Sequence, residues 1–296
     1  MSSLPQSRLR VAAIGFLNPA PLMWDFEHPP LDAPLAQRYQ IDRMSPAECA
    51  DRLASGTADI GLVPIASLAT TPGLRILPGC TIASKGRVRS LLLVRRASQP
   101  LQALRSVAAD TASRTTLAHA RILFRHWDNP AVPFLPATAD LDTMLAQADA
   151  AILIGDPALL ALEERANRFE RSGELLVYHD LAYEWHSLTG LPFVSAVWGA
   201  AQQRSGAPGP DSRTWDSTTT DFINSRIHGL ENIDALVAEW ATRIPIPEET
   251  IRTYLTTNIH YTLDEECIEA MRVFFRMAAE ARVLPKYSFP IPELVS

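Results

Sequence analysis

Cysteine is scarce in this chain of 296 residues: Cys49, Cys80 and Cys267 are odd in number and far apart. That spacing excludes a disulfide framework and the paired cysteines of a structural metal site, and it suits a reducing compartment. The seven histidines are equally scattered. His119 and His126 could share a helix face, but no glutamate motif stands beside them, so no metal-ligand pattern forms. Long apolar runs are missing as well. The stretch from Val11 is too short to span a bilayer and is broken at Pro19. Residues 1–8 lack the charged start, apolar core and small-residue cleavage site of a leader peptide, so a cytoplasmic location is expected. Positive charge is not in excess: the net charge of −6 gives no reason to expect nucleic acid or an anionic membrane as partner. Lysine occurs only at Lys85 and Lys286, a skew to which no function is attached. Walker loop, dinucleotide fingerprint, nucleophile elbow and zinc motif are all lacking.

What is present is an ordinary globular composition, 47% hydrophobic and 20% charged. At this length one core stops growing, so two lobes are expected. The residues Val11 to Leu22 read as a buried strand that stops at Asn18 and enters a helical turn through Pro19 and Pro21. Asn18 suits a helix cap there. In an open α/β sheet, however, the carboxyl ends of such strands are also where ligands bind. Tyr39–Met44 reads as a strand. Ser45, Pro46 and Glu48 make a capping box that opens a helix to Ser55, closed by Gly56. Asp59–Pro64 is a further buried strand. Leu74–Cys80 and Arg87–Val94 are β-like runs about a turn at Ala83–Gly86, and the polar Arg95–Pro100 reads as a crossing between lobes.

A second series follows, with strands at Ser106–Asp110, Val132–Leu135, Asp149–Ile154 and Leu175–Tyr178. Helices alternate with them: one opening at Ser113 and running towards Trp127, one at Asp140–Gln147, one from Asp156 to about Glu164, and one at Asp180–Leu188. Leu191–Trp198 reads as the strand that returns. Beyond a linker at Ala207–Pro210, the pattern from Thr214 is helical, with a long amphipathic helix over Glu265–Ala281. The fold class expected is therefore α/β, two-lobed, with two hinge crossings and a helical C-terminal segment. Lobe one takes residues 9–96 plus 197–296 and lobe two residues 97–196, with a ligand cleft between them.

Five places converge on that cleft: Asn18, the turn after Val63, the hydroxyl-bearing stretch Ser84–Ser90, and two strand ends of the second lobe. One of these is the helix start Ser113-Arg114-Thr115-Thr116, whose free N–H groups and dipole suit an anion, although Ser and Thr there are also ordinary caps. The other is Gly155-Asp156, where Asp156 before Pro157 also reads as a cap. Arg87 and Arg89 read as solvated charges at a strand edge. The residues by themselves thus describe a two-lobed protein that binds a small, anionic molecule in a polar cleft.

The order of these segments resembles a known family. Its marks are Ile14–Leu22 with Leu17-Asn18-Pro19-Ala20-Pro21-Leu22, then Gly56–Pro64, Ile76–Gly86, Ser113–Thr116, Ile154-Gly155-Asp156, Glu184-Trp185 and Thr189–Val194. Together, over roughly residues 9–200, they are similar to the chorismate dehydratases of the futalosine route to menaquinone. The resemblance implies a type 2 periplasmic-binding-protein fold used as a cofactor-free enzyme, with chorismate as its small-molecule partner. It implies Asn18 as the catalytic asparagine and a catalytic serine at Ser90, with Ser84 the other candidate. Ser84, Ser113, Arg114, Thr115, Thr116, Gly155 and Asp156 are the candidate substrate-binding residues. One departure is Ile65-Ala66-Ser67 after Pro64, where the family pattern expects Ser followed by an acidic or aromatic residue.

The chemistry implied needs no metal. The C3 hydrogen of chorismate is vinylogous to the ring carboxylate, and losing it with the C4 hydroxyl makes an aromatic ring. Positioning is then most of the task, and the substrate's own enolpyruvyl carboxylate is the candidate base. Two alternatives stay open on the sequence: a cytoplasmic anion-binding or sensing module of the same fold, and the related 1,4-dihydroxy-6-naphthoate synthase. Whether the chain pairs as a homodimer also stays open.

Overall fold

A computed structural model describes residues 8–30, 35–111, 113–201 and 212–287; the linker read at 207–210 lies outside them. Ten strands are described: β1 (Leu9–Ile14), β2 (Tyr39–Met44), β3 (Ile60–Pro64), β4 (Leu74–Ser84), β5 (Leu91–Arg96), β6 (Val107–Asp110), β7 (Phe134–Ala137), β8 (Ala150–Ile154), β9 (Leu176–Asp180) and β10 (Phe193–Ala201). They form two five-stranded sheets, ordered β2-β1-β3-β10-β4 and β7-β6-β8-β5-β9. Within each sheet the first three strands are parallel, joined by helical crossovers. The fourth strand in each order, β10 or β5, runs antiparallel to both of its neighbours. The two sheets thus share one topology, and each is completed by a strand that arrives from the other lobe.

This exchange shifts the expected crossings. Residues Leu91–Arg96 were assigned by pattern to the first lobe, yet β5 pairs with β8 and β9. The chain leaves the first sheet after Ser84 and joins the second at Leu91, rather than crossing at 95–100. A fully apolar run says that a strand is buried on both faces but not which sheet takes it. Here the ladder to Ala150–Ile154 decides. On the return, β10 starts at Phe193, so residues 193–196, given above to lobe two, lie in the first sheet. The run Ala83–Gly86 is therefore no hairpin turn. A helix at Arg165–Ser172 went unread, because its surface is polar almost throughout and none of its residues is buried.

Local chemistry accounts for the well-read elements. Ser45 Oγ accepts from Glu48 N while Glu48 Oε2 accepts from Ser45 N, and Pro46 opens the helix Pro46–Ser55. In β5, Leu91 and Leu93 face the main core whereas Leu92 and Val94 face a smaller cluster with Leu141, Met144 and Leu145, as the two-residue period of a strand requires. Among the described residues no helix is long and apolar enough to cross a membrane.

The C-terminal helices pack on the first lobe. The helix Ser212–Glu231 lies against the turn that follows β1. Ser225 Oγ donates to Leu22 O at 2.9 Å and accepts from Asp25 N at 3.0 Å, both buried. Four residues on, Gly229 lies so close to this turn that an added Cβ would meet Pro21 O at 2.1 Å and Pro21 Cα at 2.6 Å. Backbone against backbone leaves no room to yield. Gly229→Ala is expected to destabilise the fold by about 1–3 kcal/mol, the usual range for overpacking a close contact, read as a lower urea midpoint at unchanged m-value.

Candidate active site

The strand topology brings two sheet edges face to face. At the first edge stand the ends of β1 and β3, with Pro64 opposite Ala196 of β10 and Ser84 opposite Phe193. At the second stand the ends of β6, β8 and β9, with Leu91 opposite Ile154 and Leu92 opposite Asp180. Between them lies a cavity of about 20 Å³ whose polar lining comes from Asn18, Ser90, Ser113, Thr116 and Ser195, and whose apolar walls include Phe16, Val88 and Ile154. This is room for about one water, against about 300–1,000 Å³ for a ligand pocket. The lobes are closed, and a ligand enters only when they part.

Asn18 does not cap a helix. The short turn Ala20–Met23 follows Pro19 without any side-chain cap, and Asn18 Oδ1 is buried with no hydrogen-bond partner. An unpaired buried acceptor costs about 1–3 kcal/mol, a cost that a donor entering the cavity would relieve. Ser90 lies on the crossing between the sheets. Its carbonyl accepts from Gly155 N at 2.8 Å, and its Oγ accepts from Tyr254 Oη at 2.8 Å. Ser113 opens the 13-residue helix Arg114–His126, where its Oγ accepts from Thr116 N at 3.3 Å. Gly155, at φ 68°, lies against the Phe16 ring, and a Cβ there would strike it at 2.7 Å. Only a residue without a side chain lets the two lobes close here.

Four of the candidate residues lie elsewhere. Ser84 Oγ donates to Gly86 O at 3.0 Å and belongs to its own turn. Arg114 turns outward to an exposed ion pair with Asp51 at 2.6 Å. Thr115 Oγ1 accepts from Ala66 N at 3.1 Å, which joins the second lobe to the turn whose sequence departs from the family pattern. Asp156 Oδ1 accepts from Leu17 N at 3.0 Å, next to Asn18 in the chain. Asp51, Ala66 and Leu17 belong to the first lobe and their partners to the second, so these residues close the cleft rather than line it.

Pattern reading passed over Phe16, Ser195 and Tyr254. Phe16 and Ser195 sit inside segments already marked, two residues from Asn18 and on the returning strand. Tyr254 gave no signal, since it meets Ser90 from 164 residues away. Among the described residues, His260, Asp264 and Cys267 also bring their ligand atoms within 4.8 Å of one another. That trio does not fit a metal. Asp264 already accepts from Lys85 Nζ, His260 and the Cys267 backbone, and burial pushes the Cys267 thiol up to about 12. His119 is enclosed by Trp185, Phe193 and Phe274; burial drives it down to about 3, so it is neutral and part of the core.

Burial pushes the Asp156 carboxyl up to about 6, with the Leu17 N–H opposing. A carboxyl raised in the fold favours the protonated protein, so its contribution to stability is complete below the unfolded value of about 4 and is lost as pH rises to about 6. Asp156→Asn keeps an acceptor for Leu17 N without the charge. Melting temperatures of the two proteins should therefore coincide near pH 4 and separate between about pH 4 and pH 6, with the variant the more stable above.

The chain is similar to known proteins over most of its length. A family profile described as menaquinone biosynthesis matches residues 9–280. A relative from Thermus thermophilus named chorismate dehydratase is 29% identical over 266 residues, 86% of this chain and 91% of the relative. A crystal structure from Archaeoglobus fulgidus superposes with a TM-score of 0.71 at 15% identity, covering 94% of this chain and 98% of the other. A Candida albicans protein described as having the generic periplasmic binding protein fold superposes at 0.63 with 15% identity, covering 96% and 92%. The fold is that of the periplasmic binding proteins, and by the match along its length the chain belongs to the menaquinone biosynthesis family.

Proposed function

We propose that this protein is a carbon–oxygen lyase that dehydrates chorismate to 3-[(1-carboxyvinyl)oxy]benzoate in the futalosine route to menaquinone, acting in the cytoplasm. The observation that carries the reading is the buried, unpartnered Asn18 Oδ1 in the cavity it shares with Ser90 and the Ser113 helix start. The likeness to the Thermus thermophilus chorismate dehydratase supports it.

The residues have a division of labour that suits this elimination. The start of helix Arg114–His126, with Ser113 and Thr116 facing the cavity, takes a substrate carboxylate on its N–H groups and dipole. The Asn18 amide accepts a hydrogen bond from the substrate. The Ser90 hydroxyl donates to the C4 oxygen as it departs. The C3 proton passes to a base, the C3–H electron pair becomes the C3=C4 bond, and the C4–O bond breaks. The hydroxyl leaves with one proton as water, and the ring is aromatic. Among the described residues no acid or base lines the cavity, and the enolpyruvyl carboxylate of the substrate serves as base. The protein supplies alignment in a water-poor site, where oriented donors are worth more than in water.

Purified protein incubated with chorismate should release one water, read by mass spectrometry as the enolpyruvyl benzoate. Asn18→Ala should lower turnover by about 100–1,000-fold, the effect of deleting a preorganised hydrogen-bonding group. Wild-type turnover in that variant would remove Asn18 from the scheme. A thermal shift with chorismate but no product would make the protein a binding module. With neither, the naphthoate-synthase substrate becomes the one to try.

A further inference from the structure

The helix Glu248–Thr253 does not end at its last turn but widens into a π-turn over Tyr254–Asn258. Such bulges are rare and concentrate at functional sites. This one lies against the crossing between the sheets. Asn258 Nδ2 donates to Arg87 O at 3.1 Å, and His260 exchanges both backbone hydrogen bonds with Ala83, at 2.8 and 2.9 Å. Tyr254 and Leu255 of this turn are fully buried, and Tyr254 Oη donates to Ser90 Oγ at 2.8 Å.

A serine hydroxyl has three staggered positions and can donate or accept. Once Tyr254 donates to Ser90 Oγ, the hydrogen of Ser90 is released from that side, and the side chain faces the cavity as a donor. Burial raises the Tyr254 phenol far above its ordinary value, so it stays protonated and keeps donating across the working pH range. In a dry site this bond polarises the next one in the chain. The bond also joins the C-terminal segment of the first lobe to the segment that leads into the second sheet.

We propose that Tyr254 is a positioning residue for the dehydration, holding the Ser90 hydroxyl as a hydrogen-bond donor to the departing oxygen; this rests on the reading of the function given above. The test is a double-mutant cycle of Tyr254→Phe and Ser90→Ala with chorismate, with Tyr261→Phe as control. The Tyr261 hydroxyl is also buried, without a partner. Tyr254→Phe should lower kcat by about 10–100-fold, the scale of a small misplacement at a reacting centre, while KM changes less than about twofold. In the Ser90→Ala background the same substitution should have no further effect, and Tyr261→Phe should keep the wild-type kcat. Wild-type kcat in Tyr254→Phe, or an equal loss with and without Ser90, would overturn the proposal. Should Tyr254→Phe fail to fold, 3-fluorotyrosine at 254 strengthens the donor at almost constant shape, and an unchanged kcat there would equally overturn it. If the wild-type protein does not turn chorismate over, the functional reading has failed. The crystal structure of Tyr254→Phe then decides the positioning, with an unmoved Ser90 Oγ counting against it.

Discussion

Each sheet is finished by a strand from the other lobe, and the remaining features of the molecule depend on that exchange. β5 and β10 enter at the carboxyl ends of the parallel strands and therefore run antiparallel to them, which puts both crossings beside those strand ends. The hinge and the cavity are thereby made of neighbouring residues. Ser90 is the residue before β5, and Phe193 begins β10 beside Ser84. The crossing is held in an uncommon backbone conformation, with Arg89 at φ 66°. Asp180 secures it by accepting from Arg89 N at 2.7 Å while capping the helix Leu181–Thr189 through Ala182 N and Tyr183 N. Arg89 also pairs with Glu163.

The buried polar groups divide by whether they are satisfied. Thr81, Thr115 and Ser225 across elements, and His119 within its own helix, all have backbone partners. Asn18 Oδ1 does not. Other buried side-chain atoms lack partners too, Tyr261 Oη among them, but Asn18 Oδ1 stands at the end of a central strand inside a cavity between lobes, where an entering donor could reach it. Its cost is borne by the packing behind it: Ser225 and Gly229 fix the turn from one side and Asp156 holds Leu17 from the other.

The helical tail is therefore more than cover for the first sheet. The helix Ser212–Glu231 clamps the turn that carries Asn18, and the π-turn after Thr253 carries Tyr254 to Ser90. Closure of the cleft adds bonds from the second lobe to the same turn. Asn18 and Ser90 are thus held by contacts from the tail and from across the cleft.

What the amino-acid order determines by itself is local: the capping box at Ser45, the strand Tyr39–Met44 to its last residue, the alternation of buried strands with amphipathic helices, and the turn chemistry that singled out Asn18 and Gly155. These depend on neighbours within a few residues, and periodicity, caps and proline geometry report them directly. Sheet membership was different. The run Leu91–Val94 looks the same whichever sheet buries it, and only the pairing with Ala150–Ile154 chose. The candidate residues were sorted in the same way. Arg114 and Ser113 are adjacent in sequence, yet a helix sends one outward to Asp51 and the other toward the cavity. Asp156 belongs to closure because Leu17 lies across the cleft. Tyr254 could not be read at all, because its meaning is a single hydroxyl contact made across 164 residues. Sequence thus determined most of the strands and caps, though not the absence of a cap at Asn18 or the helix Arg165–Ser172. Tertiary structure alone decided which side chains share the cavity, because long-range contact depends on how whole elements pack and not on the residues beside each one.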